Sequence, residues 1–258
     1  MAVQSLSPQA LSVIDGYLRF KAGTAECSVP YFNNKTIASR GGLRAHRGKG
    51  SPEDIREEIR GIFLKHHIDI EALKSESLKK ALADQNLGID CSAFAYHVMD
   101  AEYDARGLGP LEGSLIFVNC RGLFGKIVCS MRPAENCDVT TLADDANARI
   151  VPLGEIAPGD FITMIGGPDG NERNHILIIH SVERDGSSLR SISYSHAVAY
   201  PEDGLYGSGI RQGTIEITSP SGTILDQVWK ESGMIESARR IFERAKASRT
   251  EIRRLNKL

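Results

Sequence analysis

The sequence predicts an α+β chain in which a helix-rich first half delivers one helix onto an antiparallel β-meander, and three observations carry that expectation. Apolar residues between positions 8 and 105 recur at helical spacing. From Pro158 onward they alternate at strand spacing and are punctuated by turn residues. After Gly222 helical spacing returns and continues towards the C-terminus. With 41% hydrophobic and 25% charged residues in 258, the composition is that of a folding globular chain.

Ser7-Pro8, a capping serine followed by proline in the first turn, opens a helix near 8 to 21 with Leu11, Ile14 and Leu18 on one face. Positions 27 to 50 are rich in Gly, Asn and Arg without a period, which predicts a long irregular segment. Ser51-Pro52-Glu53-Asp54 starts a second helix, since its acids suit the exposed amides there, and Ile55, Ile59, Ile62 and Phe63 form its apolar face. A third is expected near 70 to 85 from Ile70, Leu73, Leu78 and Leu82. Cys91, Phe94, Ala95, Val98 and Met99 then stand at i, i+3, i+4, i+7 and i+8, a helix packed along one side and stopped at Arg106-Gly107.

No element is assigned to the mixed stretch 113 to 150, whose features are an apolar run at Leu115 to Val118 and acids at Asp144-Asp145. Strands follow at Phe161 to Ile165, His175 to Val182, Leu189 to Val198 and Thr214 to Thr218, with a Gly-Pro-Asp-Gly turn and an Asp185-Gly186 turn between them. Met234, Ile235, Ala238, Ile241, Phe242 and Ala245 mark a closing helical face. The expected organisation is an N-terminal helical and loop extension over 1–87, a central domain over 88–222 with an insertion near 113–150, and a C-terminal helical tail over 223–258.

A net charge of −2 gives no global reason to expect nucleic acid or an anionic membrane as partner. Met1 to Leu18 carries Asp15 and polar residues rather than a signal peptide's apolar core, and no stretch is long enough to span a bilayer. A cytoplasmic location is the expectation, with release or export by another route left open. Five cysteines without a Cys-x-x-Cys pair signal neither a disulfide framework nor a zinc ribbon, so Cys120, Cys129 and Cys137 read as small buried hydrophobes or loop thiols. No metal and no organic cofactor is implied.

Cys91 begins its helix, where unsatisfied amides and the positive end of the dipole favour thiolate over thiol and can also hold an oxyanion. Asp90 and Ser92 flank it with polar groups, and Gly88 permits a tight entry. A nucleophilic thiol needs a base that holds its proton and returns it to a leaving amine. Among seven histidines, His175 starts a strand directly after a loop. It shares a strand face with Leu177 and Ile179, the face expected to meet the helix, whereas His180 points away. His196, on the neighbouring strand, is placed to hydrogen-bond the far nitrogen of His175, with Tyr194 and Ser195 as alternatives.

Gly88-Ile89-Asp90-Cys91-Ser92-Ala93-Phe94 resembles the Asp-Cys-Ser-Gly-Phe nucleophile motif of the NlpC-type, papain-like cysteine peptidases. Pro158-Gly159-Asp160-Phe161 is similar to that family's strand entry, His175-Ile176-Leu177-Ile178 to its histidine strand, and His196-Ala197 to the His-Ala carrying its third polar residue. The resemblance covers roughly 88 to 198 and departs in Ala93 for glycine, in the missing glycine after His175 and in the long interval between nucleophile and base.

It implies a papain-like fold, a catalytic set of Cys91, His175 and His196, substrate contacts from Asp90, Ser92 and Tyr31, and cleavage of a peptide or isopeptide bond through a thioester. A peptide or peptidoglycan-fragment substrate is the partner this implies, and wall stem peptides are the family's typical substrate. Acyl transfer or amidase action at the same Cys-His pair, or a catalytically silent binding module, are the alternatives.

Gly42 to Gly50 is similar to a phosphate loop but has one residue too many between its glycines, leaving Arg40, Arg44, Arg47 and Lys49 as grips for a carboxylate or phosphate. The basic residues after Ala238 read as a solvated helix face or as a contact for an anionic polymer.

Overall fold

The computed structural model describes residues 1–33, 44–120, 122, 127, 129, 131–166, 174–204, 206–232 and 235–258. Arg40, Met234 and the Gly-Pro-Asp-Gly turn lie outside the described residues. Seven α-helices are described: α1 Pro8–Leu18, α2 Pro52–Lys65, α3 Ser75–Asp84, α4 Cys91–Ala105, α5 Pro133–Asn136, α6 Val139–Ala143 and α7 Ile235–Ala247. The strands are β1 Ala2–Ser5, β2 Phe20–Ala22, β3 Ala25–Cys27, β4 Ala148–Ile150, β5 Phe161–Ile165, β6 His175–Asp185, β7 Ser188–Val198, β8 Gly209–Glu216, β9 Val228–Glu231 and β10 Arg249–Leu255.

The helix starts follow from their caps. Ser7 Oγ accepts the Ala10 amide at 3.2 Å. Ser51 and Asp54 exchange side-chain and backbone bonds at 3.1 and 2.9 Å, the reciprocal box their spacing predicts. α3 begins at Ser75 rather than near 70 because the Asp69 carboxylate takes the Glu71 amide at 3.0 Å, offering the backbone a local turn in place of a helix. α1 stops at Leu18 because Phe20–Ala22 enters a two-stranded ribbon with β3.

Eight strands form one sheet in the order β4-β10-β5-β6-β7-β8-β9, with β1 added alongside β6, and every pairing in it is antiparallel. The architecture is therefore α+β with an antiparallel sheet. Alternation along the strands splits the interior into two layers. Phe161, Ile176, Ile178, Ala197 and Ile210 join the core built with α1 to α4. Ile162, Leu177, Ile179, Tyr194 and Trp229 face Ile241 and Ala245 of α7. Each wholly buried isoleucine contributes on the order of 1.5 to 3 kcal/mol, so a one-residue slip of β6 would exchange both layers and is strongly disfavoured.

Three sequence expectations are corrected. The tail 223–258 is not simply helical, since it supplies β9 and β10 to the sheet and β10 lies between β4 and β5. Two of its basic residues are used internally: Arg253 pairs with Asp145 and Glu251, and Arg254 grips the buried Asp160 at 2.6 Å, so these two form neither a solvated face nor an anion-binding surface, whereas Arg239 and Arg240 stand exposed on α7. The segment 1–87 is no appendage either, because β1 pairs with β6 and α1 packs on α4, where Glu102 accepts the Ser7 amide at 2.7 Å. Finally, Cys120 and Cys129 are joined in a disulfide within the insertion, leaving Cys27, Cys91 and Cys137 as thiols. Among the described residues no helix is long and apolar enough to cross a membrane.

Candidate active site

Cys91 is the first residue of α4, and the turn that presents it is held on both sides by backbone. Ile89 donates to the Pro30 carbonyl at 3.0 Å and accepts from Phe32 at 3.2 Å, while the Asp90 amide bonds the Gly48 carbonyl at 2.9 Å. This clamping needs glycine twice. A Cβ on Gly88 would lie 2.6 Å from the Pro30 oxygen, and one on Gly48, whose φ is +71°, would lie 2.1 Å from the Phe32 oxygen. Gly88 is thus required for close approach of two segments rather than for a turn conformation.

Asp90 caps α4 by accepting the Ala93 amide at 2.8 Å, and Lys49 Nζ pairs with it at 2.9 Å. Ser92 Oγ donates to Asp90 at 2.9 Å and accepts from Lys49 at 2.8 Å. Both Asp90 and Ser92 are 5% exposed, so their polar atoms brace the helix start and are not free for substrate, which corrects the substrate-contact expectation for this pair. The same bonds correct the reading of Lys49 as an anion grip, because its charge is spent on Asp90, and Arg44 pairs with Glu135. With Ala93 taken by the cap, the Cys91 and Ser92 amides remain in the first turn without an intrahelical partner, as an oxyanion donor requires.

The sulfur meets the beginning of β6. Sγ is 3.9 Å from the Asn174 carbonyl oxygen, to which the thiol donates, and the Ile176 amide faces the sulfur as well, so Cys91 touches the backbone on either side of His175. The Tyr31 hydroxyl accepts from Asn33 at 3.5 Å and lies close enough for the Cys91 charge to raise its pKa, after burial, the larger cause. Arg244 of α7 acts electrostatically on Cys91, His175 and Tyr31 alike. Tyr31 and Cys91 therefore lie near one another at the start of β6, the strand that His175 opens.

His175 is 2% exposed, and its Nε2 is 2.7 Å from His196 Nδ1. His196 Nε2 is in turn 2.7 Å from Glu231 Oε1, with both side chains wholly enclosed. Tyr194 and Tyr200 donate to the Glu231 carboxylate at 3.5 and 3.1 Å. Gly213, paired with Tyr194 on one side and Glu231 on the other, makes room for this cluster, since a Cβ there would sit 2.3 Å from the Tyr194 hydroxyl oxygen. His175, His196 and Glu231 form a line, and among the described residues no group of three or more His, Cys, Asp or Glu is arranged to hold a metal ion. Of the alternatives to His196, Tyr194 reaches Glu231, whereas Ser195 bonds His180 at 2.9 Å.

The structure alters two features of the expected chemistry. α4 covers Ile176 and Ile178, whereas the face carrying Leu177, Ile179 and the His175–His196 pair is covered by α7. Helix and imidazole thus do not meet across a shared face, and Cys91 meets β6 through the backbone that flanks His175. The thiol is also not held ionised. Burial pushes Cys91 up to about 11, with Asp90 adding to the rise, against the opposing pull of Arg244, Lys49 and the Ile176 amide. That rise corresponds to roughly 3 kcal/mol against the thiolate, more than the ~0.3 to 2 kcal/mol a helix terminus supplies. Burial, followed by Arg244 and His196, holds His175 well below the usual imidazole range. The resting pair is therefore thiol and neutral imidazole.

Sequence reasoning missed Glu231 and Tyr200. The alternation Val228-Trp229-Lys230-Glu231 was the available signal for a strand carrying Trp229 and Glu231 on one face. No family model, curated protein or solved structure matches this chain.

Proposed function

We propose that this chain is a papain-like cysteine hydrolase that cleaves an amide bond through a thioester on Cys91, with His175 as base and then acid. The observation that carries the reading is the buried line His175–His196–Glu231, which ends at the strand residue whose flanking backbone touches the Cys91 sulfur. An enclosed imidazole chain of this kind costs desolvation and contributes little to stability, so its use lies in moving or holding a proton.

In the proposed step the Sγ–H bond breaks as the sulfur pair attacks the carbonyl carbon, and the proton passes to His175. The carbonyl oxygen gains the charge and is held by the Cys91 and Ser92 amides. Collapse expels the amine, which leaves with the proton from His175, and water then releases the acid from the thioester. Because the resting groups are neutral, the proton moves during attack rather than beforehand.

The resemblance to NlpC-type peptidases supports bonds in bacterial wall stem peptides as substrate, with isopeptides and transfer to an amine acceptor as related outcomes at the same site. The test is mass spectrometry of the protein incubated with wall-peptide fragments and isopeptides, with and without added amines. An acyl adduct on Cys91, absent in Cys91→Ala and slowed by about 10²- to 10⁴-fold in His175→Ala, is expected. Product captured by the amine would identify a transferase. The enclosed, protonated thiol favours a second reading, a binding module on a retained scaffold. Binding of the fragments without any adduct would establish that reading instead.

A further inference from the structure

We infer that Glu231 is a positioning residue that decides which nitrogen of His175 acts as the base. The inference rests on the proposed Cys-His chemistry for its use, but its physical content is a hydrogen-bond polarity spanning four strands. β9 carries Glu231, β7 carries His196, and β6 begins with His175, with β8 between the first two.

An ionised carboxylate can only accept hydrogen bonds. Glu231 accepts from the hydroxyls of both Tyr194 and Tyr200, whose pKa values are pushed well above the ordinary phenol value by burial and then by the Glu231 charge. The third bond at this carboxylate, 2.7 Å from His196 Nε2, therefore places a proton on that nitrogen. A His196 ring that carries this single proton then presents a lone pair at Nδ1. The 2.7 Å bond to His175 is consequently donated by His175 Nε2. His175 Nδ1 is left without a proton, and among the described residues it makes no hydrogen bond. That nitrogen keeps its lone pair, and in the proposed chemistry it is the one that takes the thiol proton.

Reversal of the chain would remove the base. Were a singly protonated His196 to hold its proton on Nδ1, it would donate to His175 Nε2, and the His175 proton would move to Nδ1, leaving no lone pair at that nitrogen. An ionised Glu231 excludes this arrangement for a singly protonated His196, because its oxygens cannot donate. When His175 becomes cationic during attack, the negative charge two rings away stabilises it without a change of partners. Gly213 and the two tyrosines keep water off the carboxylate and so keep its polarity effective.

The experiment is ¹⁵N-detected histidine NMR on the intact chain, together with steady-state kinetics on whichever fragment acylates Cys91. The wild-type protein is expected to show His175 and His196 both as Nε2–H tautomers. Glu231→Gln, whose amide can donate as well as accept, should mix the His175 tautomers and lower kcat by about 10- to 100-fold with KM within twofold. Glu231→Asp should restore the single tautomer and part of kcat. Tyr200→Phe, which keeps the carboxylate, should leave the tautomers intact, and unfolding curves verify that each variant is folded. A wild-type Nδ1–H tautomer at His175, or unchanged tautomers in folded Glu231→Gln, overturns the inference whatever the activity. Correct tautomers in a protein that never acylates Cys91 would leave this polarity standing and remove the hydrolase reading alone.

Discussion

The thiol side and the imidazole side of the candidate site are built from opposite materials. Cys91 is fixed by residues at most three positions away, Asp90, Ser92 and Ala93, and by two crossing loop segments whose Lys49 brings a positive charge. His175 is fixed by partners 21 and 56 positions away, across three strands, and the charge at the end of that line is the negative Glu231. Both sides bury their charges, yet only the first was encoded in a contiguous motif. The difference teaches that a side chain at a helix start can be placed locally, because the start needs only a cap, whereas an imidazole on a strand is oriented by partners distant in sequence.

The sharpest way to break this comparison is the pH dependence of thiol alkylation. Because burial raises Cys91 to about 11, the alkylation rate with a small neutral reagent should climb about tenfold per pH unit from neutrality upward. A plateau between pH 5 and 8 would mean a preformed thiolate and would undo the neutral-pair account. Lys49→Met probes the thiol side: Asp90 would remain buried and unpaired, costing about 3 to 5 kcal/mol in chemical denaturation and moving the Cys91 titration further upward.

Reduction of Cys120–Cys129 should cost about 2 to 3 kcal/mol by the chain-entropy relation for a bridge spanning nine positions. Neither side of the site uses this bridge, so His175 tautomers and Cys91 alkylation should stay as they were. The smallest effect is expected from Gly213→Ala on the imidazole side. Its Cβ forces the Tyr194 ring aside, which should cost about 1 to 3 kcal/mol and loosen Glu231, read as broadened His196 resonances, while leaving Lys49 and Asp90 unperturbed.

Legibility followed sequence distance. The Cys91 helix, its stop at Arg106-Gly107 and the meander from β5 to β8 were readable because period 3.6 and period 2 are properties of short windows. β10 was not, since Arg249-Thr250-Glu251-Ile252-Arg253-Arg254-Leu255 presents mostly charges, and only the pairs with Asp160, Asp145 and Glu251 make those charges acceptable inside a sheet. The bond between Cys120 and Cys129 escaped notice because connectivity does not follow from spacing in an odd set of five. The thiolate expectation was wrong for a related reason: a helix terminus is visible in sequence, but the depth at which it is buried is not.

By itself the sequence determined that Cys91 would open a helix and that His175 and His196 would lie on adjacent antiparallel strands. The tertiary structure decided that α7 rather than α4 covers the face bearing the imidazoles, that β9 brings Glu231 to their far end, and that the thiol rests protonated. The physical reason is that local hydrogen bonding and periodicity set the elements, whereas desolvation and the polarity of a hydrogen-bond chain depend on every segment that closes over the site.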